Sequence, residues 1–359
     1  MFKYFNILNL ISLYFGKASQ PLFIFACVII FQSEFNELAK NIIGATFFSG
    51  ILLSLSQPIL IKLFESDFKT YKNIIFNINI SLLILISIFF LISNQVETSL
   101  LILTTFLLLK GTNDYWVAKE NFIVQRALYG IPIEVIRYYL LFSYIDINQI
   151  TVLLCLPMMN DLILHFIKNT EKILVIKNFE KIDLSKSSLK NIIFNQIKNL
   201  EGLSIYLLSI KFIDSASIIL LGQQVVGIVI VFFQVYWFKI LSKINSLRVA
   251  LKEYVNSTKL IRYGFLFLII LFLIIAYTFE FQQLVLVLLV SLTLISIRSY
   301  IIDPMVFLAT ESFRKTAVVG YFTMFLSTFL FINILNLEFF LIFISLTIIL
   351  NLIFLFSGD

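Results

Sequence analysis

Two pairs of opposite charge stand three residues apart inside apolar sequence. One is Glu134–Arg137 in "GIPIEVIRYYLLF", the other Lys211–Asp214 in "LSIKFIDSASIILLGQQVVG". Lys17 lies in another such stretch, "LISLYFGKASQPLFIF", with no acid within a helical turn. Asp161 and His165 are four residues apart in a fourth. A bare charge at mid-bilayer costs about 3 kcal/mol, so each of these needs a partner, water or a ligand. Residues at i, i+3 share one face of a helix and can neutralise each other. A cation that is not neutralised can instead attract a negatively charged group, most strongly where the dielectric is low. On this basis Glu134–Arg137 is expected to be a structural ion pair. Lys211–Asp214 stays open between mutual pairing and a place on a substrate path. Lys17 is expected to face a cavity, with snorkelling towards a head group as the alternative. Asp161–His165 is expected to be a helix-end interaction, with proton coupling as the alternative.

Other chemistry has no support in the residues. His165 is the only histidine, and there is no HExxH, GxSxG, P-loop or metal-ligand cluster. The expectation is therefore no enzyme, no metal and no ATP-driven pump within this chain. Cys27 and Cys155 fall inside apolar runs without redox or metal spacing and are expected to be buried hydrophobes. The net charge of +6 does not point to nucleic acid, because the side on which the charges lie matters more.

The elements that must hold these residues are membrane-grade. The chain is 60% hydrophobic, with 40 phenylalanines among 359 residues. Apolar runs of about 20 residues, the length a bilayer requires, recur throughout. Continuous blocks rather than alternation argue against a β-barrel. The expected fold class is an all-α polytopic membrane protein of about twelve transmembrane helices. The spans are placed at Ile7–Phe31, Asn41–Ile61, Asn73–Ile92, Thr98–Val117, Tyr129–Tyr144, Asn148–Ile167, Leu200–Leu220, Val225–Leu241, Tyr263–Phe279, Gln282–Tyr300, Thr316–Leu335 and Glu338–Phe356. The first run reads as a span and not as a cleaved signal.

Charge placement tests this count. With both termini in the cytoplasm, nearly all of the 27 basic residues fall on inward segments. Lys40 is the outward exception, and Lys17, Arg137 and Lys211 lie within spans. Outward loops carry acids instead: Glu34, Glu37, Glu97, Asp146, Glu280 and Glu338. The lysine-rich segment "KILVIKNFEKIDLSKSSLKNIIFNQIKNL" reads as an amphipathic helix on the inner leaflet, with a solvated linker as the alternative. It divides the chain into 1–168, a linker at 169–199, and 200–359.

The halves echo each other. "AKENF" (Ala118–Phe122) precedes the fifth helix and "ATESF" (Ala309–Phe313) the eleventh, at nearly the offset that separates Lys17 from Lys211. The first and seventh helices are the most polar of their halves. Paired, interrupted, polar helices in corresponding positions point to a transport site.

This arrangement resembles the multidrug/oligosaccharidyl-lipid/polysaccharide exporter superfamily, and within it the Wzx-type flippases of bacterial surface polysaccharides. The resemblance is carried by "NELAKNIIGATFFSGILLSLSQPILIKLFE" (Asn36–Glu65), "FIDSASIILLGQQVVGIVIVFFQVYWFKIL" (Phe212–Leu241) and "FLATESFRKTAVVGYFTMF" (Phe307–Phe325). The second block matches an acidic residue, a short outward turn at Gly222, and a following helix. The resemblance implies two six-helix bundles around a central cavity. It also implies alternating access that moves a lipid-diphosphate-linked oligosaccharide across the bacterial inner membrane. The cavity residues it implies are Lys17, Gln20, Gln57, Lys211, Asp214 and Gln234. It implies no cofactor, leaving coupling to a proton or sodium gradient open. Membrane lipids, a polysaccharide polymerase and assembly proteins are the implied partners, with no nucleic acid. The chain is short for the family, and its first helix has one basic residue where lipid-precursor flippases carry several. Two rivals remain: a polymerase or ligase acting on the same lipid-linked glycans, and a cation-coupled drug exporter. The first needs a large basic outward loop, which is absent. The second favours carboxylates, for which Asp214 is the main candidate. The aromatic run Phe232–Phe238 is expected to face lipid, with sugar stacking as the alternative.

Overall fold

The computed structural model describes residues 7–65, 96–119, 123–143, 146–168, 186–224, 283–298 and 311–356, with isolated positions between 81 and 278. All regular structure among them is helical, and no strand occurs. The chain divides into two compact units, Met1–Gln196 and Ile197–Asp359.

The first unit holds α1 (Ile7–Phe31), α2 (Phe35–Glu65), α3 (Val96–Lys119), α4 (Ile123–Phe142) and α5 (Ile147–Lys168). A 3-10 turn, Gln32–Glu34, joins α1 to α2. Gln32 closes α1 in the left-handed region at φ 50. The pairs α2–α3, α1–α4, α4–α5 and α3–α5 pack together. Between α2 and α3 the Asn41 amide donates to the Ser99 hydroxyl at 2.9 Å. Gly111 on α3 lets Leu53 of α2 approach so closely that an added Cβ would lie 2.4 Å from a leucine methyl.

The helix α6 (Lys186–Lys198) is followed by α7 (Leu200–Lys211). The two form one helical run from Ile192 to Lys211, within which the boundary between the units falls. Asn199 keeps right-handed helical dihedrals, and its carbonyl accepts from Leu203 N–H at 3.0 Å. Gln196 on α6 donates to the Ile51 carbonyl at 3.2 Å and to the Ser54 hydroxyl at 2.9 Å on α2. The part of the linker at 169–185 lies outside the described residues.

The second unit adds the segment Ile213–Gln224, α8 (Gln283–Ile297), α9 (Glu311–Ile334) and α10 (Leu337–Phe356). Here α9 packs on α10 and on α7, and α8 packs on α7. Leu335, at φ 51, ends α9. The Asn336 side chain then starts α10 by accepting from Glu338 N–H at 2.9 Å, the usual role of an N-cap asparagine.

Apolar residues line the outside of these helices at helical spacing. On α4 they are Leu128, Ile131, Val135, Tyr139 and Phe142; on α10 they are Phe339, Ile342, Leu346, Ile349 and Ile353. Inward faces hold small polar residues such as Ser291, Ser327, Thr328 and Thr347. Their hydroxyls bond to their own helix, as Thr347 does to the Phe343 carbonyl at 2.9 Å. Water would penalise that outward face. A bilayer suits both features, because polar groups there must be satisfied from within. Among the described residues, two helical stretches are long and apolar enough to cross a bilayer, Ser19–Ser56 and Ala317–Ile334. A third is added if Ile192–Lys211 and Ile213–Gln224 count as one broken span.

Several sequence-based limits shift. Helix α2 begins at Phe35, so Glu37 and Lys40 lie on a helix and not in an outward loop. They form an i, i+3 pair at 3.1 Å, which explains why charge there does not end the helix. The fifth helix starts at Ile123, six residues before its expected start. Gly222 is helical and not a turn: it sits against Leu292 of α8, where an added Cβ would be 3.1 Å from a leucine methyl. Among the other expected spans, Asn73–Ile92, Val225–Leu241 and Tyr263–Phe279 are described only at isolated positions.

Candidate functional site

The two charge pairs have opposite fates. Glu134 and Arg137 lie on one continuous helix, α4, facing the interior of the first unit. Arg137 is 0% exposed and Glu134 is 6% exposed. Arg137 Nη1 donates to Glu134 Oε1 at 3.1 Å and to Oε2 at 3.3 Å. The expected structural pair is thus present. The guanidinium carbon also stands 3.6 Å from the centroid of the Phe23 ring of α1, in cation–π geometry. Phe23 in turn meets Tyr138 edge-on, with centroids 5.6 Å apart. The Tyr138 hydroxyl donates to the Ser19 carbonyl of α1 at 3.2 Å. That bond falls beside Pro21, which cannot donate to the ladder of α1. Cys27 lies on α1 and Cys155 on α5. Both cysteines are free and buried, as expected of core hydrophobes.

Lys211 and Asp214 have the same spacing but no shared helix. The ladder stops at Phe212, whose dihedrals are φ −118 and ψ 60. The chain then turns through a 3-10 segment, Ile213–Ser215, and leaves at 111° to the preceding helix. The expected continuous span Leu200–Leu220 is therefore broken. No proline or glycine causes this. The Phe212 ring is buried against Phe331 of α9, with centroids 6.2 Å apart, and Phe331 packs on Phe340 of α10 at 5.9 Å. Backbone bonds close the corner: Phe212 N–H to the Leu208 carbonyl and Ser215 N–H to the Phe212 carbonyl, both 2.9 Å. Lys211 now ends a helix and Asp214 opens one, and both are exposed. Each charge suits its helix end, because a C-terminus favours cations and an N-terminus favours anions. The i, i+3 helical geometry that would pair them is gone.

Gln20 is half-buried on α1. The side chains of Lys17 on α1, Gln57 on α2, and Asp161 and His165 on α5 lie outside the described residues, as does Gln234 with the aromatic run Phe232–Phe238. Among the described residues no cluster of histidine, cysteine and acids could hold a metal ion.

One ion pair escaped the sequence entirely. Glu201, buried at the start of α7, pairs with Arg298 just beyond α8. The sequence placed Arg298 as an inward-facing charge and left Glu201 unassigned. The available signal was an acid at the head of an apolar run.

Comparison with protein-family models, with curated proteins and with solved structures finds no match.

Proposed function

We propose that this chain is a flippase of the bacterial inner membrane, moving a lipid-diphosphate-linked oligosaccharide from the inner to the outer leaflet by alternating access. In this reading it has about twelve spans in two six-helix halves, with both termini in the cytoplasm. The observation that carries it is the broken helix at Phe212 with Lys211 and Asp214 on either side of the break. Discontinuous helices place helix ends and charges where a polar cargo must cross apolar surroundings. A cation at such a break lowers the barrier for a phosphate-bearing head group. Lys17, in the corresponding helix of the first half, would do the same, with Gln20 and Gln57 offering bonds to sugar hydroxyls. The inward bias of basic residues and the apolar outer faces support a multi-pass protein oriented in this way.

The test is genetic. Loss of the chain should abolish surface glycan display and leave the lipid-linked precursor accumulated inside the cell. Lys17→Ala should impair display while the protein still reaches the membrane. Normal display after loss of the chain would overturn the reading.

A further inference from the structure

Half of the Arg137 guanidinium is left over. Nη1 serves Glu134, but Nε and Nη2 have no hydrogen-bond partner among the described residues. These two nitrogens form the side-on edge of the guanidinium, which takes a carboxylate or phosphate through two parallel bonds. Leaving such donors buried and unmet is costly, more so in an apolar interior than elsewhere. Ion-pair formation does not need this edge, so the pair alone does not explain why the residue is an arginine. A lysine would satisfy Glu134 equally well.

We propose that the Nε/Nη2 edge of Arg137 is a binding site for a singly charged phosphate group, as carried by a lipid head group or by free phosphate. Charge sets the class. Glu134 already neutralises the guanidinium, so a monoanion leaves the buried cluster at a net single negative charge. A dianion would double that in a medium that penalises charge heavily. Phe23 covers one face of the guanidinium and fixes its plane, which presents the free edge in a set direction. Pro21, two residues before Phe23, interrupts the hydrogen-bond ladder of the helix that carries this cover. The site goes beyond the flippase reading, because its monoanion class is that of a membrane phospholipid or free phosphate and not that of the lipid-diphosphate cargo.

The experiment uses the full chain in an uncharged detergent and reads its thermal midpoint with three additions. These are dihexanoyl phosphatidylglycerol, inorganic phosphate at pH 6, and dihexanoylglycerol, which lacks the phosphate. The site predicts a rise with a phosphate compound and none with dihexanoylglycerol. A response to the phosphatidylglycerol identifies a lipid source; a response to inorganic phosphate alone identifies a free one. Arg137→Lys keeps the charge and removes the fork, and should abolish the response. Glu134→Gln removes the neighbouring negative charge and should tighten apparent phosphate affinity about tenfold. Should Arg137→Lys fail to fold, the neutral double variant Glu134→Gln/Arg137→Met replaces it and should also show no response. No response in the unaltered chain, or an equal response in Arg137→Lys or the double variant, overturns the proposal. Binding is read apart from translocation, so a chain that binds phosphate but moves no lipid-linked glycan refutes the flippase reading and leaves the site standing.

Discussion

Glu134–Arg137 and Lys211–Asp214 share a spacing, an apolar setting and opposite charges, yet one is a sealed ion pair and the other a split one. The difference lies in the helix beneath them. On α4 the ladder runs unbroken through the pair and turns both side chains inward, so Coulomb attraction offsets part of their desolvation. At Phe212 the helix ends between the two charges, where the buried ring packs on Phe331, itself packed on Phe340. Lys211 then ends one helix and Asp214 opens the next, each at the end that favours its sign. Spacing proposes a pair; the packing of the residue between decides whether it forms. A sealed pair suits architecture, whereas an exposed lysine at a break suits a changing partner.

Substitutions can break this contrast, and the largest effect should come at the sealed pair. Arg137→Ala leaves the Glu134 carboxylate buried alone and should cost about 3–5 kcal/mol, read as a lowered thermal midpoint in detergent. Glu134→Gln/Arg137→Met should recover most of that loss, because both charges go together. Phe212→Ala tests the cause of the break. It should destabilise the chain by about 3 kcal/mol through lost aromatic packing. It should also let α7 straighten, which spin-label distances between positions 205 and 220 would show as a lengthening. Next comes the other buried acid. Arg298→Ala should cost about 2 kcal/mol, less because Arg298 is partly exposed and water can reach the site.

The smallest stability effects should come at the split pair. Lys211→Ala should change stability by about 0.5 kcal/mol, the worth of a charge at a helix end, and Asp214→Ala is measured beside it. The double variant should show the sum of the two. A double variant markedly more stable than that sum would mean that the charges pair after all.

The sequence made much of this legible. The limits of α1 and α10 follow from apolar runs that start and stop cleanly, and Glu134–Arg137 from simple helical periodicity. What stayed hidden depended on distant contacts. Nothing in "SIKFIDS" announces a break, because its anchor, Phe331, is more than a hundred residues away. Glu201–Arg298 was hidden for the same reason. Gly222 is ambiguous by nature: glycine serves turns and close helix contacts alike, and here it serves the contact with Leu292. Glu37 and Lys40 misled in the other direction, since charges near an apolar run resemble a loop until they pair on a helix. The unused edge of Arg137 was beyond sequence reasoning altogether, because it depends on which nitrogen meets which oxygen.

In the proposed flippase reading, Lys211 at the broken helix meets the cargo. Translocation of a lipid-diphosphate-linked oligosaccharide by the purified chain in proteoliposomes tests it most directly. The unaltered chain should expose the glycan to an external lectin at a rate well above that of empty vesicles. Lys211→Ala should lose at least about tenfold of that rate, one charge-assisted contact, with its thermal midpoint nearly unchanged. A Lys211→Ala protein that folds and moves the glycan at the unaltered rate would contradict the account.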